Sequence, residues 1–182
     1  MNNALFLDRD GIINIDHGYV HKQDDFEFVD GIFELCQKAS ANGLKIFVIT
    51  NQAGIARGYY DIKTFEKLSH WMVSQFERHN VKVEKVYFCP HHPVKGVNEF
   101  VKSCQCRKPA PGMILQAQQE FSLDLSESFF IGDKMSDMQA ASNAGIKHKI
   151  LVDSRYHESE LVTSDDINKV ATVADAIIFF NE

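Results

Sequence analysis

Four short apolar segments of this chain each run directly into a cluster of polar residues, and helical patterns separate the segments. The apolar segments cover residues 4–7, 44–49, 83–88 and 129–131. The polar clusters that follow them begin at Asp8, Thr50, Cys89 and Gly132. Strands that alternate with helices predict a parallel sheet with helices on both faces. Because ligands of such sheets bind beyond the carboxyl ends of the strands, the four clusters are expected to form one site.

The pattern of the remaining residues fits an α/β domain. Helices are predicted over residues 31–41, 61–79, 111–121 and 135–144, and a fifth strand over 149–152. Asp61 is suited to cap the second of these helices, and Gly145 is suited to end the fourth. The segment after Thr172 favours a helix, although residues 176–180 also fit a strand. We expect one domain over residues 1–182, a length that can bury a full hydrophobic core.

Charge and hydropathy argue against several functional classes. The formal net charge is −6, and the basic stripe typical of nucleic-acid-binding proteins is missing. No apolar run reaches the roughly 18 residues of a membrane-spanning helix. The first residues lack the pattern of a signal peptide. The expectation is a cytoplasmic protein that binds neither nucleic acid nor membrane. A monomer is the default expectation, and the helix surfaces show no obvious apolar stripe for a dimer.

Asp8 and Asp10 lie where the first apolar segment ends. Strand alternation would point both carboxylates the same way and Arg9 the opposite way. Two carboxylates on one face can share a cation and divide the roles of nucleophile and acid/base. Two turn-forming aspartates are the alternative interpretation of this pair taken alone.

The other clusters favour the catalytic interpretation. Thr50 and Asn51 offer a hydroxyl and an amide for a phosphoryl group, and Lys108 and Lys134 offer positive charge. Asp133 adds a third carboxylate, and a further aspartate follows one helical turn later, at position 137. Carboxylate oxygens are preferred ligands of Mg²⁺. The sequence therefore predicts a magnesium site that binds a phosphorylated small molecule.

The order of these motifs resembles the haloacid dehalogenase (HAD) phosphatase superfamily. A closer resemblance, to the D-glycero-D-manno-heptose-1,7-bisphosphate 7-phosphatase family, is carried by DRDGIINIDHGYVH, TNQAGIARGYY, CPHHP, CQCRKPAPGM and GDKMSDMQAA. These stretches span nearly the whole chain. The resemblance implies a Rossmann-like HAD fold with a minimal cap. It also implies hydrolysis of the 7-phosphate of a heptose bisphosphate, in the supply of precursors for lipopolysaccharide.

The resemblance further assigns roles to single residues. Asp8 becomes the nucleophile that forms an aspartyl-phosphate, and Asp10 becomes the acid and then the base. Mg²⁺ is assigned to Asp8, the backbone carbonyl of Asp10, and Asp133. The residues expected to contact the substrate are Thr50, Asn51, Gln52, Arg57, Arg107, Lys108 and Lys134. Ile12 departs from the superfamily pattern, which usually has threonine there, and is expected to alter activity at most.

Three cysteines and a histidine lie in the predicted loop over residues 89–109. Cys89, His91, Cys104 and Cys106 match the donor set of a tetrahedral Cys₃His zinc site. His91 is preferred to His92 because it matches the family pattern. With four protein ligands the zinc would be structural, and it would order the loop that carries Arg107 and Lys108. A redox role for the thiols is the alternative.

Two other functions fit parts of the sequence. A histidinol-phosphate phosphatase shares most of the motifs, and only a bisphosphate requires a second anion site near Arg57 or Arg107. A non-catalytic, zinc-ordered binding module would keep the fold without the chemistry, but the intact set of acidic residues argues against it. Capping of a turn is the alternative role for Arg57. The resemblance implies that His17, Tyr19 and His21 lie in a small flap over the site, where substrate contact and an ordinary polar surface are the two interpretations.

Overall fold

The computed structural model describes residues 2–97, 99–154 and 166–181. Within these ranges six parallel strands form one sheet: β1 (Ala4–Leu7), β2 (Lys45–Asn51), β3 (Val83–Cys89), β4 (Phe129–Gly132), β5 (His148–Val152) and β6 (Ile167–Val170). They lie side by side in the order β3-β2-β1-β4-β5-β6. The first five confirm the sequence prediction, whereas β6 was not predicted. It lies at the edge of the sheet and alternates poorly, because Asn168 and Lys169 are both exposed.

Helices cover both faces of the sheet, as the alternating pattern predicted. They are α1 (Ile32–Ala41), α2 (Ala53–Ala56), α3 (Ile62–Arg78), α4 (Gly112–Phe121) and α5 (Met135–Ala144). Asp61 caps α3 by accepting a hydrogen bond of 2.7 Å from the amide of Thr64. Gly145 ends α5 with φ of +90°. The segment after Thr172 forms a 3₁₀ helix, Ala174–Phe180, so the strand alternative for residues 176–180 was wrong.

Alternate residues of the central strands enter two separate hydrophobic cores. Leu5 and Leu7 pack into the core on one face of the sheet, and Ala4 and Phe6 pack into the core on the other. On the second face the rings of Phe47 and Phe130 flank Phe6, with centroids 5.5 and 6.4 Å away. Because both faces of the sheet are buried, its polar groups can reach solvent only at the strand ends.

Both isoleucines that follow Gly11 belong to the first core. Ile12 and Ile13 are fully buried, and their amides, like that of Asn14, donate to the carbonyl of Arg9 at 3.3, 2.8 and 3.1 Å. The threonine usual at position 12 in the superfamily is thus replaced here by a side chain that anchors the loop in the core. Within the described ranges, no helix is both long enough and apolar enough to cross a membrane.

Candidate active site

Asp8 begins the site directly after β1 and is almost completely buried. Its amide donates to the carbonyl of Ile131 in β4 at 3.1 Å, which fixes the backbone at this edge of the sheet. Its Oδ1 accepts two hydrogen bonds of 2.8 Å, from the amide of Arg9 and from Nζ of Lys108. No described residue donates to Oδ2. One carboxylate oxygen is therefore held in place while the other can react.

Lys108 crosses the sheet edge to reach two carboxylates. Its buried ammonium lies 2.8 Å from Asp8, 2.6 Å from Oδ1 of Asp137 and 2.8 Å from the carbonyl of Ile49. Burial opposes its charge, but the carboxylates of Asp137 and Asp8 outweigh burial and raise the pKa of Lys108. The ammonium therefore stays charged throughout the physiological pH range.

Asn51 holds the backbone of Lys108 in register with the end of β2. Its amide nitrogen donates to the carbonyl of Lys108 at 3.2 Å, and its amide oxygen accepts from the Lys108 N–H at 3.0 Å. The sequence predicted a substrate contact for Asn51, and Asn51 does line the cavity described below. The paired hydrogen bonds give it a positioning role as well.

Asp133 follows β4 and has two buried carboxylate oxygens that accept no hydrogen bond from any described residue. One oxygen each from Asp8, Asp133 and Asp137 lie within 4.8 Å of one another. Gly11, at φ of +95°, passes so close that a Cβ atom there would collide with the Asp133 carboxylate. Buried polar groups without partners are rare and require an explanation. A divalent cation fits, because it would supply the missing partner to these carboxylates.

The pKa values of Asp8 and Asp133 show that the carboxylates of this cluster carry an excess of negative charge. Burial, reinforced by Asp137, raises the pKa of Asp8 to about 6, and Lys108 only partly opposes the rise. Burial and the neighbouring Asp8 raise the pKa of Asp133 to about 8. Asp137 is already engaged, since its second oxygen accepts the amide of Lys134 at 3.1 Å and so caps α5. Lys108 and Lys134 thus only partly balance the negative charge of Asp8 and Asp133.

Asp10 is held apart from that cluster. Arg9 donates to both of its oxygens, at 2.8 and 3.2 Å, and Asn14 donates to Oδ1 at 3.1 Å. Burial alone would raise the pKa of Asp10, but the Arg9 guanidinium holds it below the ordinary value. Arg9 was expected to point away from Asp10, and that was wrong: β1 ends at Leu7, so strand alternation does not continue to residues 8–10.

A cavity of about 530 Å³ opens in front of these groups. Its lining residues include Asp8, Asp10, Tyr19, Asn51, Tyr60, Arg107, Lys108, Lys134 and Ser136. Of the predicted substrate contacts, Thr50 and Gln52 are buried and are not among the residues that line the cavity. Arg57 packs its guanidinium over the Tyr19 ring at 5.7 Å from the centroid. His17 instead pairs with Glu27 at 3.3 Å, at a second pocket.

The four predicted zinc ligands come together at the end of β3. Sγ of Cys106 lies 2.9 Å from Sγ of Cys89, 3.3 Å from Sγ of Cys104 and 3.3 Å from Nδ1 of His91. One donor atom from each of the four residues lies within 4.8 Å of the others. Nδ1 of His92 accepts the amides of Val94 and Lys95 at 3.2 and 2.8 Å. The donor chemistry fits a tetrahedral soft-metal site that uses His91.

This cluster is connected to the cavity through the residue that follows it. Nη1 of Arg107 donates to the carbonyl of His91 at 3.2 Å. The amide of Gly112 donates to the carbonyl of Gln105 at 2.9 Å, and Asn143 donates to the carbonyl of Pro109 at 3.0 Å. The loop therefore presents Arg107 and Lys108 to the cavity from a backbone that is fixed on both sides.

Sequence reasoning missed two residues that organise the site. Asn14 donates to Asp10, and Tyr60 donates to Gln52 at 2.5 Å. The signal for Asn14 was an amide inside an otherwise apolar run, since a buried amide must find hydrogen-bond partners. Tyr60 carried no such signal, because its role depends on how α2 and the following turn fold back over the end of β2.

Comparison with known proteins gives concordant results. A family model described as HAD-hydrolase-like matches residues 105–177. The D-glycero-beta-D-manno-heptose-1,7-bisphosphate 7-phosphatase of Photorhabdus laumondii is 47% identical over 96% of this chain and 94% of its own length. The D-glycero-alpha-D-manno-heptose-1,7-bisphosphate 7-phosphatase of Campylobacter jejuni is 46% identical over 98% of this chain and 96% of its own length.

A solved structure extends the likeness to three dimensions. The D,D-heptose 1,7-bisphosphate phosphatase of B. bronchiseptica, complexed with magnesium and phosphate, superposes with a TM-score of 0.84 at 26% identity. The match covers 97% of each chain. With curated relatives this similar over almost the full length, and with the acidic site and cysteine–histidine loop in place, the chain belongs to the D-glycero-D-manno-heptose-1,7-bisphosphate 7-phosphatase family of HAD phosphatases.

Proposed function

We propose that this chain removes the 7-phosphate of D-glycero-D-manno-heptose 1,7-bisphosphate through an aspartyl-phosphate at Asp8. The observation that carries the proposal is the state of the Asp8 carboxylate. Its Oδ1 is fixed by Lys108 and by the amide of Arg9, whereas Oδ2 accepts no hydrogen bond from the described residues. The names of the relatives supply the substrate.

In the first step, Oδ2 of Asp8 attacks the phosphorus atom and the bond from phosphorus to the sugar oxygen breaks. Asp10 gives its proton to that oxygen. The dianionic phosphoryl group beside Asp10 raises the proton affinity of the carboxyl and so opposes the influence of Arg9. The ammonium of Lys108 stabilises the charge that develops on the phosphoryl oxygens.

In the second step, the Asp10 carboxylate removes a proton from a water molecule. The resulting hydroxide attacks the phosphorus of the aspartyl-phosphate, and the bond from phosphorus to Asp8 breaks. Inorganic phosphate leaves, Asp8 returns to a carboxylate, and Asp10 holds a proton for the next cycle. The hydrogen bonds from Arg9 and Asn14 favour the ionised form of Asp10 that this step requires.

We assign a Mg²⁺ ion to Asp8, Asp133 and the backbone carbonyl of Asp10. The support is the pair of buried Asp133 oxygens without partners and the raised pKa values of Asp8 and Asp133. When bound, Mg²⁺ neutralises charge on the transferring phosphoryl group. Asp137 contributes from behind this set, because it fixes Lys108 and caps α5.

We assign a structural Zn²⁺ ion to Cys89, His91, Cys104 and Cys106. Four protein ligands leave no open position for a substrate or water, so the ion would order the loop rather than take part in the reaction. Thiols must stay reduced to bind zinc. This requirement agrees with the cytoplasmic location expected from the sequence.

Recognition of the second phosphate is assigned to the mouth of the cavity. Burial lowers the pKa of His92, and Arg107, Arg57 and Lys95 lower it further. Three cations therefore act on the imidazole of His92, which lies within the zinc loop. Arg107 lines the cavity directly, whereas Arg57 packs over Tyr19, which also lines it. An anion at C1 of the sugar would meet this positive patch while the 7-phosphate contacts Asp8.

The test is phosphate release with Mg²⁺ from four compounds: both anomers of the heptose bisphosphate, histidinol phosphate and p-nitrophenyl phosphate. Phosphorus NMR of the sugar product identifies which phosphate was removed. Asp8→Asn is the key variant, and Asp30→Asn, on the exposed surface, is its control. We expect release of the 7-phosphate by the wild type and by Asp30→Asn, and none above background by Asp8→Asn.

The other outcomes separate the parts of the proposal. Preference for histidinol phosphate would keep the mechanism and reject the substrate. No activity on any ester, with the fold intact and metals bound, would favour the non-catalytic module. Turnover that survives in Asp8→Asn would reject the aspartyl-phosphate.

A further inference from the structure

A buried chain of hydrogen bonds leads from Tyr60 to the acid/base Asp10. The hydroxyl of Tyr60 donates to Oε1 of Gln52 at 2.5 Å. Nε2 of Gln52 donates to Oδ2 of Asp10 at 3.2 Å and to Oγ1 of Thr50 at 2.8 Å. Gln52 and Thr50 are 2% and 0% exposed, so water does not replace these bonds.

The direction of this chain follows from the chemistry of its members. An ionised carboxylate only accepts hydrogen bonds, so the nitrogen of the Gln52 amide must face Asp10. The oxygen of the amide then faces Tyr60, whose hydroxyl must donate. Burial raises the pKa of Tyr60, and the hydroxyl therefore keeps its proton throughout the working pH range. No alternative arrangement of the amide satisfies both neighbours.

The same chain orients the hydroxyl of Thr50. Because Oγ1 of Thr50 accepts from Gln52, its own proton is left to be donated elsewhere, as a phosphoryl contact requires. One amide thus sets the geometry of Asp10 and of the Thr50 hydroxyl, the predicted phosphoryl contact, together.

Two neighbours fix the Tyr60 ring. The imidazole of His21 stacks on it, with centroids 4.9 Å apart and planes 11° from parallel. A Cβ atom at position 54 would collide with the Tyr60 ring, so Gly54 provides the space that the ring occupies. Tyr60 also lines the cavity, although its hydroxyl serves Gln52.

Asp10 changes protonation state twice in each cycle, and its partners respond differently to that change. The charged Arg9 binds the carboxylate much better than the neutral acid. The neutral amide of Gln52 can donate to an oxygen of either form. Gln52 therefore stays bonded to Asp10 in both its ionised and its protonated form. This constant contact keeps the proton of Asp10 directed at the leaving oxygen.

From this geometry we infer that Tyr60, through Gln52, is a positioning residue for Asp10 and Thr50. The inference rests on the proposed phosphatase mechanism, in which Asp10 protonates the leaving group. Tyr60 contributes no atom to the reaction itself. Its effect is to hold the orientation of the Gln52 amide, which would otherwise rotate in its pocket.

The test exploits the dependence on the leaving group. Departure of a sugar oxygen requires a proton from Asp10, whereas departure of 2,4-dinitrophenolate does not. We would measure kcat/KM, which reports formation of the phosphoenzyme, for the preferred sugar phosphate and for 2,4-dinitrophenyl phosphate. The variants are Tyr60→Phe and Gln52→Leu. Tyr87→Phe is the matched control, because its hydroxyl donates to Glu120 on the other side of β3.

We expect Tyr60→Phe to lower kcat/KM for the sugar phosphate about tenfold, the effect of one well-placed hydrogen bond. The kcat/KM for the aryl phosphate should fall by no more than about fivefold, because only the contribution of Thr50 is lost for that substrate. Gln52→Leu should widen the gap between the two substrates. Equal losses on both, or no loss in Tyr60→Phe, would overturn the inference while the mechanism stands. A wild type inactive on both would reject the proposed function, and this inference with it.

Discussion

Nζ of Lys108 lies 2.8 Å from Oδ1 of Asp8, although the two residues are 100 positions apart in the sequence. Both side chains are almost fully buried, with 3% and 6% exposure. The contact joins the central strand of the sheet to the loop that follows the cysteine–histidine cluster. Because the pair is shielded from water, the effective dielectric constant around it is low. The charge of Lys108 would therefore act more strongly on a phosphoryl group that Asp8 attacks.

Replacement of Lys108 by methionine should lower kcat by about 10²–10³, as does removal of other preorganised groups that stabilise transition-state charge. Steady-state kinetics with Mg²⁺ present measures this loss. The control is Lys67→Met, on the exposed face of α3, which should retain wild-type kcat. A Lys108→Met enzyme within threefold of wild type would show that the ion pair is structural only.

The metal-free protein should lose thermal stability as pH rises from about 5 to about 8. Asp8 and Asp133 have folded-state pKa values of about 6 and about 8, against an ordinary value of 3.8. Between the ordinary pKa of 3.8 and these raised values, the folded protein binds more protons than the unfolded chain. Raising the pH through this range therefore lowers the free energy of unfolding. Melting temperatures by circular dichroism, with Mg²⁺ omitted rather than chelated so that zinc is retained, measure the slope.

Added Mg²⁺ should raise the melting temperature more at pH 8 than at pH 6, because the cation binds the ionised carboxylates. Asp133→Asn is the matched variant for both measurements. It removes the group with the larger pKa shift, so its pH slope should be shallower and its response to Mg²⁺ weaker. Identical slopes in the two proteins would contradict the assignment of the charge imbalance to Asp133.

The two adjacent histidines should differ sharply in their effect on zinc. His91→Ala removes a donor atom 3.3 Å from Sγ of Cys106, so this variant should lose bound zinc and more than about tenfold in activity. In His92→Ala the lost imidazole only accepted two local amides, so zinc should be retained. Elemental analysis of the purified proteins gives the zinc content per chain. Full zinc in His91→Ala would reject the ligand set.

Arg107 should control affinity for the bisphosphate more strongly than Arg57. Arg107 lines the cavity, so Arg107→Ala should raise KM for the heptose bisphosphate about tenfold, the effect of one lost charge-assisted hydrogen bond. The KM for p-nitrophenyl phosphate, which has no second anion, should change little. Arg57→Ala, which first disturbs Tyr19, should show a smaller change. Equal effects on both substrates would place Arg107 at the transferred phosphate instead.

The sequence was most informative about the positions where strands end. Asp8, Thr50 and Asp133 each follow an apolar run, and a parallel sheet has only one edge at which such residues can meet. The cysteine–histidine cluster was equally predictable, because donor type and spacing restrict a metal site severely. The short edge strand β6 was not, since the adjacent Asn168 and Lys169 are both exposed and the strand therefore lacks the alternation that predicts a half-buried strand.

The hydrogen bonds within the site were beyond prediction for a geometric reason. Alternation along a strand predicted that Arg9 and Asp10 diverge, but the chain turns after Leu7 and brings the guanidinium onto the carboxylate. Gln52 was expected to contact substrate, and its amide is instead occupied by Thr50, Asp10 and Tyr60. Such pairings depend on turns whose dihedral angles no spacing rule specifies.

The side chain of Asn51 forms its two hydrogen bonds with the backbone of Lys108 and none with its side chain. Because these hydrogen bonds hold the backbone, the position of Lys108 does not depend on the side chains between the four metal-ligand positions of the loop from Cys89 to Cys106. Arg107 belongs to that loop and directly precedes Lys108, the residue whose backbone Asn51 holds. Substitutions at the non-ligand positions of this loop should therefore change what the cavity binds without moving Lys108 away from Asp8.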